Sequence, residues 1–368
     1  MKILHIHPSL KIGGIEAMIC GLANQLVKEE EVTVCSIFEP ESSDVFYDRL
    51  SPEVRRISCH KKKPGFSLKE LFVIYRIFRK GKYDIVHIHG FLYYYMLAIL
   101  LMWHSKTRFV YTVHNDAARE NGVWDSKFLF LKKWLFRSGR VCPVTISEIS
   151  KDSFTAFYHC DSQLIYNGTP CPQIDVTKHT DVIVRARRSE HTLVVLNAAR
   201  VDVQKNQTVF CKVMQRLIAE GVDLVALIAG SVTNAASYEE IKPYFSDRII
   251  YLGERNDIPQ LFSECDAFCL PSIWEGLPVS LLESLAVGCI PICAPVGGVV
   301  NVVTDGYDGI LSASSGEEDY YQAMKRFLSM RAAERITMKQ QGMETFKRFD
   351  ISSAARAYMA YYRQIITC

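Results

Sequence analysis

Residues 267–298 read AFCLPSIWEGLPVSLLESLAVGCIPICAPVGG. Ala267 to Leu270 is a short apolar run with the length and content of a buried strand. The turn Pro271 to Gly276 follows and carries Glu275. Pro278 stands where a helix would begin, at the one helical position that loses nothing by lacking an N–H. Leu281, Leu282, Leu285 and Ala286 give that helix an apolar face, and Gly288 ends it. Ile290 to Ala294 is a second buried strand, with Gly297-Gly298 as the next tight turn. The order is strand, loop, helix, strand. One carboxylate sits in the loop and a second, Glu283, lies in the first turns of the helix.

A helix start presents bare N–H groups and a positive dipole end to a phosphate or hydroxyl. A carboxylate accepts two hydrogen bonds and can grip a diol. The eight-residue spacing says little alone, because helices often carry glutamate pairs on a solvated face. The strand before, the glycine after Glu275 and the helix under Glu283 supply the context. In that context the segment resembles the E-x7-E element of retaining glycosyltransferases of the GT4 type. The resemblance implies the α/β GT-B fold: two Rossmann-like domains facing a central cleft, with the C-terminal helix crossing back to the first. It implies that Glu283 binds the nucleotide ribose. Glu275, with the backbone at Gly276 and Leu277, would bind the donor sugar.

Upstream, Leu193 to Ala198 is a strand, followed by Ala199-Arg200-Val201-Asp202-Val203-Gln204-Lys205-Asn206. An arginine and a lysine five apart in a strand-to-helix loop can both reach one diphosphate. The related pattern is G-R-(x4)-K-G, and this chain has Ala199 and Asn206 for its glycines. The resemblance gives Arg200 and Lys205 the leaving diphosphate. Leu224 to Ala229 is a strand ending at Gly230, a position near the donor in the family. The loop Gly253 to Ile258, with Arg255, would pass the nucleotide base, mainly through backbone groups. Asn301 to Leu311 resembles the family's G-x-x-G-L continuation. Helices fill 316–347, and a last helix covers about 351–366.

The first half opens with Lys2 to His7 as a strand that carries two histidines. It lacks the uninterrupted apolar core of a signal peptide. Gly13-Gly14 then open a helix to about Lys28, the phosphate-cradling order of doubly wound folds. In the resemblance they face the donor diphosphate and the acceptor. Val32 to Phe38, Asp84 to His89, Arg108 to Val113 and Pro143 to Ile146 read as strands, whereas 39–60 are mixed. His114 follows a strand at the edge where ligands bind in open α/β sheets. A structural histidine is the other reading, and the resemblance places His114 at the transferred sugar. A helix start is read at Ser150. LIYNG at 164–168 closes the first domain.

Residues 61–82, KKKPGFSLKELFVIYRIFRKGK, hold eight positive charges against Glu70. Leu71, Phe72, Tyr75 and Phe78 recur at helical spacing. Two readings stand: a helix packed on its own sheet, or a face lying on anionic lipid headgroups. Residues 126–140 add Lys132, Lys133, Trp134, Arg137 and Arg140 to that face. The apolar run 91–103 has 13 residues, short of the roughly 20 a bilayer span needs. It reads as a buried or interfacial helix.

Length agrees: 368 residues suit two domains of roughly 150 each. Hydrophobic residues make up 49% and charged ones 23%, which permits a sizeable core and excludes gross disorder. The net charge of +3 is uneven, +6 over residues 1–170 and −3 beyond, so an anionic partner is sought in the first half. The twelve cysteines form no C-x-x-C and read as structural thiols of a reducing compartment.

The domains expected are 1–172, a linker at 173–190, 191–348, and a helix at 349–368. The activity expected is transfer of a sugar from a nucleotide-diphosphate (NDP) sugar to a saccharide or polyprenyl-linked acceptor, in polysaccharide or lipopolysaccharide assembly. No cofactor, metal or nucleic acid is expected. The location expected is cytoplasmic, peripheral at the inner face of the plasma membrane. The alternatives are a sugar-nucleotide 2-epimerase of the same fold and a non-catalytic nucleotide-sugar-binding subunit.

Overall fold

The computed structural model describes residues 1–11, 13–41, 44–62, 68–114, 117, 127–177 and 179–367. Lys63, Phe66 and residue 126 of the basic stretches lie outside them. The chain divides into two units, Met1–Pro170 with Asp350–Cys368, and Cys171–Phe349.

In the first unit, Lys2–His7 (β1), Glu31–Phe38 (β2), Arg55–Lys61 (β3), Ile85–His89 (β4), Arg108–Val113 (β5), Val141–Thr145 (β6) and Gln163–Leu164 (β7) form one sheet. Its order is β3-β2-β1-β4-β5-β6-β7, and every pair is parallel. Alternation along each strand builds two faces. Leu4, Ile6, Val86, Ile88, Phe109 and Tyr111 pack with Ile74 and Phe78 of helix Leu68–Gly81. Ile3, Val34, Ile85, Val110 and Val144 face the other way. They pack with Met18 and Leu22 of helix Gly14–Leu26, and with Tyr358 and Tyr362 of helix Ile351–Thr367.

That second face changes along the strands. Towards their C-terminal ends the buried residues become His5, His87, His89, Thr112 and His114. The last helix is tied there by hydrogen bonds: Tyr362 Oη lies 2.6 Å from His87 Nδ1, and Tyr358 Oη 3.2 Å from Thr112 Oγ1. Gly168 permits the helix to start close by, since a Cβ would stand 2.8 Å from the Ile351 Cα.

The second unit has Leu193–Ala198 (β8), Leu224–Ala229 (β9), Ile249–Tyr251 (β10), Ala267–Leu270 (β11), Ile290–Cys293 (β12) and Ile310–Leu311 (β13). The order β10-β9-β8-β11-β12-β13 is again all parallel. The strand order reverses between β8 and β11, and the loops after those strands flank that switch point.

Several expectations are corrected. Pro278 is the N-cap of helix Val279–Ala286, one residue before its first turn. The helix expected at Ser150 starts at Glu148, because the Ser147 side chain accepts from the Ser150 N–H and caps it. Residues 173–190 are built into the second unit rather than linking. They carry helix Asp181–Ala186, and the Arg187 guanidinium donates to the Glu264 carbonyl. Lys132 is 1% exposed, its ammonium lying over the Tyr111 and Tyr158 rings, so it leaves the basic surface. Lys61 is buried in an ion pair with Glu70, and Arg140 donates to the carbonyls of Met102, Ser105 and Thr107. The 91–103 run is a 3-10 turn, Leu92–Tyr94, and a helix, Met96–Leu101, most of it in the core. No helix among the described residues is long and apolar enough to cross a membrane.

Candidate active site

The loop after β8 turns as a short 3-10 element, Val203–Lys205, which the Asp202 carboxylate caps by accepting from the Gln204 N–H. The loop after β11 runs from Pro271 to Pro278. The two are joined through Glu275. Its Oε1 accepts from Lys205 Nζ at 2.6 Å and from Ser272 Oγ at 2.6 Å. The Gln204 amide donates to the Trp274 carbonyl at 2.9 Å, and the Gln204 carbonyl accepts from the Ile273 N–H at 2.8 Å. The Lys205 and Glu275 side chains are 12% and 4% exposed.

Asn206, where the related pattern has glycine, sits at φ +55. Asparagine tolerates this left-handed conformation better than most residues. Its amide donates to the carbonyls of Pro271 and Ser315, both at 3.0 Å. The substitution therefore adds a brace to the same turn. Ala199 carries no positive φ; Gly230 supplies the clearance there, since a Cβ would stand 2.0 Å from the Ala199 carbonyl oxygen.

Gly297-Gly298 lie against the Glu275 loop. A Cβ on Gly297 would meet the Glu275 carbonyl oxygen at 1.7 Å, and Gly298 N–H donates to the Gly276 carbonyl at 2.5 Å. Gly276 and Leu277 are buried, and the following helix, Val279–Ala286, has no side-chain cap. Glu283 is half-buried on that helix. Arg200 is exposed; its carbonyl accepts from the Gln207 amide at 2.8 Å, and its guanidinium has no hydrogen bond or ion pair to a described residue.

The loops after β9 and β10 complete this edge. Gly230 N–H donates to the Gly253 carbonyl at 2.8 Å. Arg255 binds Asp257 through two nitrogens, which raises its already high pKa. That fork is committed to the loop. Ile258 opens helix Ile258–Glu264. Of the second-unit residues singled out in the sequence, all lie on the loops after β8, β9, β10 and β11 or, for Ile258 and Glu283, on the helices that follow those loops.

Gly13, Gly14 and His114 belong to the first unit. Gly13 caps helix Gly14–Leu26 without a side-chain bond. His114 is buried, and its Nε2 lies 3.3 Å from His89 Nδ1. Asn115 and Asp116 lie outside the described residues. Burial pushes His114 down to about 3, so it is a neutral imidazole at pH 7. His89 and His5 were not singled out as site residues in the sequence. The signal for them was the His-x-His pattern on two strands, which alternation puts on one face.

Two family models match the chain. That of group 1 glycosyl transferases matches residues 181–345, and that of glycosyltransferase family 4 matches 12–171. An Escherichia coli UDP-Gal:alpha-D-GlcNAc-diphosphoundecaprenol alpha-1,3-galactosyltransferase is 26% identical over 87% of this chain and 88% of its own. A Campylobacter jejuni GalNAc-alpha-(1->4)-GalNAc-alpha-(1->3)-diNAcBac-PP-undecaprenol alpha-1,4-N-acetyl-D-galactosaminyltransferase is 26% identical over 86% of each chain. Anabaena HepE, solved with UDP and glucose, superposes with a TM-score of 0.77 at 18% identity, covering 99% of this chain and 100% of its own. That likeness shows the GT-B fold.

Proposed function

This chain belongs to the group 1 glycosyltransferases of the GT4 type, and we propose that it moves a sugar from an NDP-sugar, with retention, to a hydroxyl of a polyprenyl-diphosphate-linked saccharide. The observation that carries this reading is the Lys205–Glu275 pair at the switch point of the second unit. An ammonium has three N–H donors, so Lys205 can hold Glu275 and still donate to a phosphate oxygen. Arg200 adds a guanidinium fork with no competing partner among the described residues, suited to the same diphosphate. As the glycosidic C–O bond breaks, negative charge grows on the leaving diphosphate. Cations fixed beforehand stabilise that charge without reorganising.

Glu275, held by Lys205 and Ser272, keeps its remaining lone pairs for sugar hydroxyls. Glu283 binds the ribose diol. On this reading the two cations neutralise the diphosphate, and the reaction needs no metal. The activities of the Escherichia coli and Campylobacter relatives, both on undecaprenol-linked saccharides, support the acceptor class.

The test is product formation. The protein is incubated with undecaprenyl-diphosphate-linked N-acetylglucosamine and, in turn, UDP-galactose, UDP-glucose, UDP-N-acetylglucosamine and GDP-mannose. A lipid product one sugar longer, with NDP release that requires the acceptor, is expected with one donor. Donor binding without turnover on any lipid-linked saccharide would sink the reading in favour of a non-catalytic binding subunit.

A further inference from the structure

The two carboxylate oxygens of Glu275 have different surroundings. Oε1 takes two short hydrogen bonds, from Lys205 Nζ and from Ser272 Oγ, each at 2.6 Å. Oε2 has one long contact among the described residues, the Gln204 amide at 3.4 Å. The same amide nitrogen makes its shorter bond, 2.9 Å, to the Trp274 carbonyl. Oε1 is therefore filled by the protein, and Oε2 keeps acceptor capacity.

The two donors on Oε1 are not equivalent. Lys205 is a point charge on a flexible four-carbon stem, with three donors that can turn. It can swing towards a phosphate, as its proposed role requires. Ser272 cannot follow. It is fully buried, two residues beyond the end of β11, on a stretch pinned on both sides. The Pro271 carbonyl accepts from the Asn206 amide at 3.0 Å, and the Ile273 N–H donates to the Gln204 carbonyl at 2.8 Å. Serine hydroxyls in loops often bond to nearby backbone. Here the proton goes to a carboxylate three residues on, and the hydroxyl bonds nothing else among the described residues.

The last torsion of a glutamate is soft, so a carboxylate held by a mobile cation alone can turn. A second donor on the same oxygen, fixed by its own backbone, removes that freedom. We propose that Ser272 is a positioning residue, which holds Oε1 so that Glu275 presents Oε2 to the donor sugar. With Ser272 in place, Lys205 can reach for the leaving diphosphate without releasing the carboxylate. This role deepens, and rests on, the reading of Glu275 as a sugar-binding residue. A plain structural tie within the loop is the competing use of Ser272. It would serve the whole edge, including helix Val279–Ala286, which carries Glu283 and follows the same loop. The two uses therefore differ in which part of the donor feels the loss.

The test is calorimetric titration of the full chain with UDP and GDP, and with UDP-galactose, UDP-glucose, UDP-N-acetylglucosamine and GDP-mannose. Wild type, Ser272→Ala, Glu275→Gln and the double variant are compared, using the sugar nucleotide that wild type binds and its bare nucleoside diphosphate. Ser272→Ala removes one oxygen and adds no bulk. It should bind the bare diphosphate as wild type does and the sugar nucleotide roughly 10-fold more weakly, the loss of one charge-assisted hydrogen bond. In the Glu275→Gln background the same change should cost nothing further. Equal weakening of both ligands by Ser272→Ala would make the serine a structural tie and overturn the proposal. Unchanged binding of both would overturn it too. Glu275→Gln tells the two failures apart. If it alone weakens the sugar nucleotide, the positioning role falls and the donor-site reading stands. If neither variant moves that affinity, or no sugar nucleotide binds the wild type, both fall together.

Discussion

Lys205 Nζ and Glu275 Oε1 lie 2.6 Å apart across 70 residues of sequence. The contact closes the loop after β8 onto the loop after β11, and both side chains are largely removed from water. Taking away one partner of such a pair strands the other charge, at a cost of about 3–5 kcal/mol. Glu275→Ala and Lys205→Met should each destabilise the second unit by about that amount. The double variant should cost much less than their sum. Urea unfolding of the four proteins measures the coupling, and strict additivity would mean the pair does not act as one unit.

Arg200 gives the opposite expectation. It is exposed, and its guanidinium holds nothing else in place among the described residues. Arg200→Ala should shift stability by no more than about 0.5 kcal/mol, as for an ordinary surface change. Its turnover should nevertheless fall by roughly 100- to 1,000-fold, if its charge meets the leaving diphosphate. Steady-state kinetics beside a melting curve check both halves. A variant that loses stability and activity together would make Arg200 structural.

The apolar runs of β8 and β11 made the second sheet legible, and the residues that follow them made the site legible. Their pairing was not. The spacing suggested two cations on one diphosphate, and the resemblance gave the two glutamates to sugars, with no hint that Lys205 would bind Glu275. That contact follows from the switch point, which only the strand order reveals. β3 escaped notice because it is an edge strand with Arg55 and Arg56 exposed, and edges do not need an apolar pattern. Lys132 was counted with the surface because its residue type says so. Its neighbours Tyr111 and Tyr158 decide otherwise, and they come from β5 and a distant helix.

Gly297 and Gly253 separate two reasons for glycine. Both have positive φ, but only Gly297 has backbone where a Cβ would go, the Glu275 carbonyl at 1.7 Å. Gly253→Ala should cost only the conformational strain, on the order of 1 kcal/mol. Gly297→Ala must also displace the Glu275 loop. It should lose more stability and weaken binding of the active NDP-sugar, read by calorimetry. Equal effects from the two changes would show that the Gly297 contact is not what shapes the loop.

For membrane contact, the first unit leaves fewer of the expected residues at its surface than the sequence suggested. Phe130 is 86% exposed, Phe72 55% and Trp134 41%, while Arg76, Arg79, Lys80 and Arg137 are exposed on the same two helices. Partly inserted aromatics beside basic residues suit an anionic interface. Sedimentation with phosphatidylglycerol vesicles at low salt should carry the protein down. Phe130→Ser with Trp134→Ser should release most of it, and high salt should release it too. Absence of binding at low salt would overturn the expectation of membrane contact.

The buried histidines predict an acid-sensitive first unit. An unfolded imidazole titrates near 6.5. In the folded chain burial pulls His5 and His114 to about 3 and His7 to about 4, and holds His87 and His89 well below the usual value. Between those limits the unfolded chain binds protons that the folded chain refuses. Stability therefore falls as pH drops below about 6.5, each group contributing up to about 1.4 kcal/mol per pH unit. The melting temperature should decline from pH 7 to pH 5, and His5→Phe should flatten the slope. Because His87 is bonded to Tyr362, its protonation should loosen the C-terminal helix first. Hydrogen exchange at pH 5 should then show early loss of protection in Ile351–Thr367. A stability that stays level from pH 7 to pH 5 would mean that water reaches these rings.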